Sequence, residues 1–95
     1  MAKFTTRVEL HGADSEDYNT LYEWMEYEGF TKTITDTSTG KVYEMPEAEY
    51  NIEGEYTRVH VLNKAKAAVR KTQLACSILV TQSGGRRWYN LPESD

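Results

Sequence analysis

Four polar residues near the end of the first predicted strand carry side chains suited to acid–base or metal chemistry. They are Glu9, His11, Asp14 and Asp17. Carboxylates placed this way could bind Mg²⁺ through waters, as phosphodiester chemistry often requires, and an imidazole near neutral pH suits a general acid or base. Helix capping by Asp14 and Asp17 is a competing interpretation and the favoured one for these acids. His11 and Asp14 are the candidate catalytic residues.

A second group combines basic and aromatic side chains, which can hold phosphates and stack bases. The group is the segment Arg86-Arg87-Trp88-Tyr89, and the candidate RNA-binding residues are Arg86, Arg87 and Trp88 of this segment together with Lys64 and Lys71. The alternative is that Trp88 packs on a sheet edge or a partner subunit, because interfaces favour Trp, Tyr and Arg. We prefer packing for Trp88 on the residue pattern alone.

Other motifs are absent or ambiguous. Trp24 and Tyr27 fall outside the apolar stripe of the first predicted helix, which indicates either a contact surface or a cover by a loop or tail. The single cysteine, Cys76, excludes an internal disulfide framework and a CxxC metal or redox motif, so a small core residue is expected there. The glycines lack the spacing of a phosphate-binding loop.

Length and charge limit the class of protein. Ninety-five residues with 39% hydrophobic content indicate one folded domain over residues 1–95. The net charge is −4, yet residues 1–56 hold four basic and thirteen acidic residues, whereas residues 57–95 hold seven basic and two acidic ones. The basic half could attract phosphate, or the two halves could neutralise each other within one fold or one dimer. No apolar run is long enough for a membrane span or a signal peptide, so a cytoplasmic protein is expected.

The hydrophobic pattern predicts alternating strands and helices. Strands are expected over residues 3–11, 30–36, 41–45, 48–52, 73–82 and 86–91, and helices from the caps Asp14 and Thr57 to about residues 28 and 72. Leu79 makes the second face of the strand over residues 73–82 partly apolar, which suggests cover on both of its faces.

This order predicts an α+β, ferredoxin-like βαββαβ fold with an antiparallel sheet and both helices on one face. The last segment adds a short C-terminal fifth strand. Such a strand can extend the sheet of its own chain or that of a partner, and the sequence leaves both open.

Several segments resemble the GhoS-type family of small bacterial antitoxins. They are KFTTRVELHG, EGFTKTI, KVYEMPEAEY, CSILVT and GGRRWYNL, spread over nearly the whole chain. The resemblance implies a ferredoxin-like endoribonuclease, similar to small CRISPR-associated endoribonucleases, that cleaves the message of a membrane-active toxin in a type V toxin–antitoxin pair. It also implies a site at the end of the first strand, where His11 and Asp14 lie.

Two functional hypotheses follow. In the first, the protein cleaves single-stranded, U/A-rich RNA, with Mg²⁺ or by a metal-independent mechanism, and loses activity on His11→Ala or Arg87→Ala. In the second, it is a non-catalytic ferredoxin-like homodimer that binds a protein partner or a small ligand, and its basic residues pair with acidic ones. A continuous basic groove joining Lys64, Lys71 and the two arginines would favour the first hypothesis, and paired charges the second.

Overall fold

The structure is a computed structural model that describes residues 1–94. The strands are β1 (Ala2–Leu10), β2 (Thr33–Thr35), β3 (Val42–Glu44), β4 (Glu49–Gly54) and β5 (Cys76–Gln82), and the helices are α1 (Ser15–Tyr27) and α2 (Arg58–Arg70). No helix within residues 1–94 is long and apolar enough to cross a membrane.

Both helices begin at the predicted caps. The Asp14 carboxylate accepts the Asp17 N–H at 2.9 Å, and the Asp17 carboxylate accepts the Asp14 N–H at 3.0 Å, which completes a capping box. The Thr57 hydroxyl accepts the His60 N–H at 3.1 Å at the start of α2. Gly29, at a φ of +102°, ends α1 in a conformation that glycine adopts without strain.

The main sheet is antiparallel, with β1 in the centre of the order β4-β1-β5. Beyond β4, Thr31 and Asn51 exchange two backbone hydrogen bonds of 2.8 Å, which places the segment leading into β2 as a fourth, short partner. Strands β2 and β3 then form a separate two-stranded sheet. This arrangement is consistent with the predicted ferredoxin-like α+β fold.

The core lies between the main sheet and the two helices. Its larger members are Phe4, Val8, Leu10, Leu21, Met25, Phe30, Tyr50, Ile52, Val61 and Val69. Side chains of a strand alternate between the two faces of its sheet, so the predicted inward residues of β1 are buried and Thr5, Arg7 and Glu9 lie on the other face. Tyr22 of α1 is 42% exposed and lines a surface cleft together with Lys32.

The predicted strand over residues 86–91 is wrong, since this segment has no regular secondary structure. It instead crosses the sheet, where Arg86 donates hydrogen bonds to side chains of β1 and β4, and it turns at Asn90, whose φ is +60°. Strand-like pairing occurs later: the Glu44 N–H donates to the Pro92 carbonyl and the Ser94 N–H to the Val42 carbonyl, both at 2.8 Å. The tail therefore pairs with β3 of its own chain.

Three other strands are shorter than predicted, β3 by one residue at each end and β2 and β5 by more. Strand β2 covers only Thr33–Thr35, because the preceding residues pair with β4. Strand β5 begins at Cys76 and not at residue 73, because residues 71–73 form a turn in which Gln73 adopts a φ of +61°.

Candidate site on the open face of the sheet

The face of the sheet opposite the helices carries most of the polar side chains of the strands. The register aligns Thr5 with Asn51 and Thr81, and Arg7 with Glu49 and Leu79; Glu9 aligns with Ser77. We call this surface the open face. The C-terminal tail covers the end of the open face near Thr5. The end near Glu9 is not covered by any of residues 1–94.

His11 lies at the uncovered end of this face. Its Nε2 is 3.0 Å from the Ser77 hydroxyl oxygen, and both side chains are exposed. The His11 N–H donates to the Ala75 carbonyl at 2.9 Å, which continues the β1–β5 ladder one residue past the strand. The backbone and the side chain thus both fix the imidazole, while its position leaves it open to a ligand.

Arg7 supplies a positive charge further along the same strand face. Its guanidinium donates to Glu9 at 2.9 Å and to Glu49 at 3.3 Å. The hydrogen bond to Glu9 raises the pKa of Arg7 above its usual value. Because residues at alternate positions of a strand lie about 7 Å apart, Arg7, Glu9 and His11 form a line of functional groups about 14 Å long.

Asp14, the second candidate catalytic residue, is the N-cap of α1. Its carboxylate accepts the Asp17 N–H, and this hydrogen bond lowers the pKa of Asp14. Glu9 is held by Arg7. Among residues 1–94, no three His, Cys, Asp or Glu side chains come close enough together to hold a metal ion.

The candidate RNA-binding residues are divided between the two sides of the molecule. Lys64 lies in the helical layer, 3.7 Å from the Glu28 carboxylate, and Lys71 lies with its Nζ 4.8 Å from the centre of the Trp24 ring. Arg86 is on the opposite side, bonded to the open face. The structure therefore does not bring these cations into one continuous groove.

Arg86 is the anchor of the tail. Its Nη1 donates to the Asn51 side-chain oxygen at 2.8 Å and to the Thr5 hydroxyl at 3.2 Å, and Nη2 lies 4.0 Å from Glu53. Burial lowers the pKa of Arg86 despite the attraction of the Glu53 carboxylate. The Arg86 guanidinium is therefore already bonded to polar and acidic groups of its own chain.

The residues that follow Arg86 differ in exposure. Trp88 packs against Tyr43 of β3 with ring centres 5.7 Å apart. Arg87 is exposed, and Tyr89 is 92% exposed. Arg87, Trp88 and Tyr89 help to line a cleft of about 520 Å³ between the tail and the β2–β3 sheet. Of the predicted RNA-binding residues, Arg87 has the most freely presented charge.

The Trp24–Tyr27 pair lies on α1, away from this face. The two rings meet edge to face at 5.6 Å, and Tyr27 is 77% exposed while Trp24 is half-buried under Lys71. Of the two interpretations, exposure therefore holds for Tyr27.

Sequence reasoning missed Arg7 and Ser77 as neighbours of the candidate site. The alternation of β1 already puts Arg7 and Glu9 on one face with His11, so that signal was present. The role of Ser77 depends on the register between β1 and β5, which joins residues 66 positions apart and has no local sequence signal.

Comparison with known proteins finds no family model and no curated protein that matches this chain.

Proposed function

We propose that this protein is an endoribonuclease of the GhoS antitoxin type, which acts in the cytoplasm on the message of a toxin. The observation that supports the proposal is the exposed His11 imidazole, fixed 3.0 Å from the Ser77 hydroxyl on the open face. An exposed histidine that is anchored on a sheet, with no part in the core, suits proton transfer to a bound ligand.

The chemistry suited to one histidine is opening of the RNA backbone by its own 2′-hydroxyl. His11 takes the proton of the 2′-hydroxyl, and the 2′-oxygen forms a bond to the adjacent phosphorus. The bond from phosphorus to the 5′-oxygen breaks, and that oxygen takes a proton from water. The products are a 2′,3′-cyclic phosphate and a 5′-hydroxyl end. This route assigns His11 the role of general base and requires RNA, since DNA lacks the attacking group.

Arg7 and Arg87 are the cations that we assign to the substrate. Arg7 is on the strand face of His11, about 14 Å away along the strand, so its guanidinium, which also pairs with Glu9 and Glu49, can contact a neighbouring phosphate of the bound RNA strand. Arg87 is exposed at the tail and can contact a phosphate of the same strand. Lys64, Lys71 and Arg86 are engaged within the chain, so we expect few phosphate contacts and a shallow dependence of RNA affinity on salt.

The test is incubation of the protein with a labelled pool of unstructured RNAs, in Mg²⁺ and in EDTA. The wild type should produce discrete fragments in both conditions, and His11→Ala should produce none. His60→Ala is the matched control, because His60 lies on α2 against the Tyr56 ring at 5.1 Å and away from the open face. Intact RNA with a large excess of wild-type protein would overturn the proposal. Equal cleavage by both histidine variants would remove His11 from the mechanism.

A second candidate is a non-catalytic homodimeric binding module for a protein partner or a small ligand. The pairing of Lys64 with Glu28 and of Arg86 with Glu53 favours it, since these cations are neutralised inside the chain. This candidate predicts no RNA cleavage and no measurable RNA binding at low salt. The endoribonuclease, in contrast, is expected to bind RNA at low salt and to cleave it. Filter binding across a salt series separates the two.

A further inference from the structure

Strand β5 has an unprotected edge. It pairs with β1 on one side, and no described residue pairs with it on the other. An edge strand offers unpaired N–H and C=O groups to any other strand, and natural edges are usually protected by charges, proline or bulges. The seven residues of β5, CSILVTQ, contain no charge and no proline.

The other edge of the sheet is treated differently. There Thr31 exchanges two backbone hydrogen bonds with Asn51 of β4. The described part of the chain thus covers one edge with its own backbone and leaves the β5 edge open. The one strongly exposed apolar residue of the sheet also lies on β5: Leu79, at the middle of the strand, is 64% exposed on the open face. The cover expected on both faces of this strand is not supplied by residues 1–94.

We propose that β5 pairs with β5 of a second copy of this chain, antiparallel and about a two-fold axis through Leu79. In this register the five central residues of β5 each meet a residue of like chemistry. Leu79 opposes Leu79 of the other copy, Ile78 opposes Val80, Ser77 opposes Thr81, and Cys76 opposes Gln82. Apolar residues therefore meet apolar residues and hydroxyls meet hydroxyls, which is how cross-strand pairs stabilise a sheet. The inference does not depend on the proposed nuclease activity.

The charges near β5 do not oppose a second copy as the occupant. The basic residues nearest in the sequence, Lys71 and Arg86, lie beyond the two ends of β5, so the pairing brings no like charges together within the strand. A two-fold interface requires a patch that is complementary to itself, and the residues of β5 meet this condition around their central leucine.

The dimer would place two candidate sites on one surface. Ser77 is two residues from the axis, so the Ser77 positions of the two copies lie about 14 Å apart, given the rise of a strand and the spacing between strands. The main sheets of the two copies would join at β5 into one continuous sheet. If the proposed function holds, both His11 residues lie on the same face of that sheet.

The first test is the oligomeric state by sedimentation velocity over a range of protein concentrations. The wild type should shift from monomer to dimer, and Leu79→Lys should weaken the dimer by about 10-fold or more, because it removes the cross-strand contact between the two leucines and opposes two charges. Tyr27→Lys is the matched control, since Tyr27 is an exposed apolar residue on α1. It should dimerise as the wild type does. A wild-type monomer up to about 1 mM would overturn the proposal.

The second test is specific for the register and uses a Cys76→Ser background. Opposed residues of an antiparallel pair have Cα atoms about 4.5–5.5 Å apart, which is within the range of a disulfide. Leu79→Cys should therefore form a disulfide-linked dimer under a mild oxidant. Ser77→Cys, about 14 Å from its counterpart, should stay monomeric on a denaturing gel. Equal cross-linking of the two variants would contradict the proposed axis. Because dimerisation is measured without RNA, failure here leaves the cleavage assay unaffected.

Discussion

Two adjacent threonines on opposite faces of β1 should respond to the same substitution with opposite signs. Thr6 is fully buried, and its hydroxyl finds no hydrogen-bond partner among residues 1–94. Its neighbours in the register are Tyr50 and Val80. Thr5 is on the open face, and its hydroxyl accepts a hydrogen bond of 3.2 Å from Arg86.

The magnitudes follow from these environments. A buried polar group without a partner costs about 1–3 kcal/mol, and valine has the shape of threonine without the hydroxyl. Thr6→Val should therefore raise the free energy of unfolding by about 1–2 kcal/mol, which raises the Tm of a domain of this size by roughly 5–10 °C. Thr5→Val should lower the free energy of unfolding by about 1 kcal/mol, since Arg86 loses one acceptor.

Urea denaturation of both variants beside the wild type measures these changes. With an unchanged slope, a shift of the midpoint reports stability directly. If Thr6→Val destabilises the protein as much as Thr5→Val does, the Thr6 hydroxyl has a partner and the reasoning is wrong. The pair also tests the assignment of the two faces of β1, because exchanged faces would exchange the signs.

Three further predictions concern the cap, the pH dependence and the core. Asp14→Ala should lower the Tm but leave RNA cleavage intact, and Asp14→Ser should restore the Tm because serine is also a good N-cap; loss of cleavage at an unchanged Tm would make Asp14 catalytic. Burial raises the pKa of Tyr50 to about 12 from 10.0. The unfolded chain loses this proton at a lower pH than the folded chain, so the contribution of Tyr50 to the free energy of unfolding should fall between pH 10 and 12. Chemical denaturation across this range should show a smaller fall in the free energy of unfolding for Tyr50→Phe than for the wild type. An equal fall would contradict the raised pKa of Tyr50. Phe4→Ala should cost about 3–5 kcal/mol, a large share of the stability of a small domain, and a loss below about 1 kcal/mol in urea denaturation would place Phe4 outside the core.

The sequence predicts the fold well where the pattern is local. The alternation of β1, the cap at Asp14 and the cap at Thr57 all depend on residues a few positions apart, and the structure confirms each of them. The strand predicted over residues 86–91 fails because Arg86 forms its hydrogen bonds with Thr5 and Asn51, which are distant in the sequence. A tertiary contact of this kind overrides local strand preference.

The candidate site was predictable only in part. His11 is evident from its residue type and its place at the end of a strand, but the hydroxyl beside it comes from the β5 register. The separation of Lys64 from Arg86 likewise depends on which layer each element occupies, and composition alone does not carry that information. The charge division between the two halves of the chain therefore does not translate into one basic surface.

The most direct test of the central proposal is analysis of the RNA ends that the protein generates. A single mapped substrate would be incubated with the wild type and with His11→Ala, each in EDTA, beside a substrate with one 2′-deoxy nucleotide at the cleavage position. We predict a 2′,3′-cyclic phosphate from the wild type, no product from His11→Ala and no cleavage at the 2′-deoxy position. A 3′-hydroxyl product that needs Mg²⁺, or cleavage of the 2′-deoxy substrate, would contradict the assignment of His11 as the base for the 2′-hydroxyl.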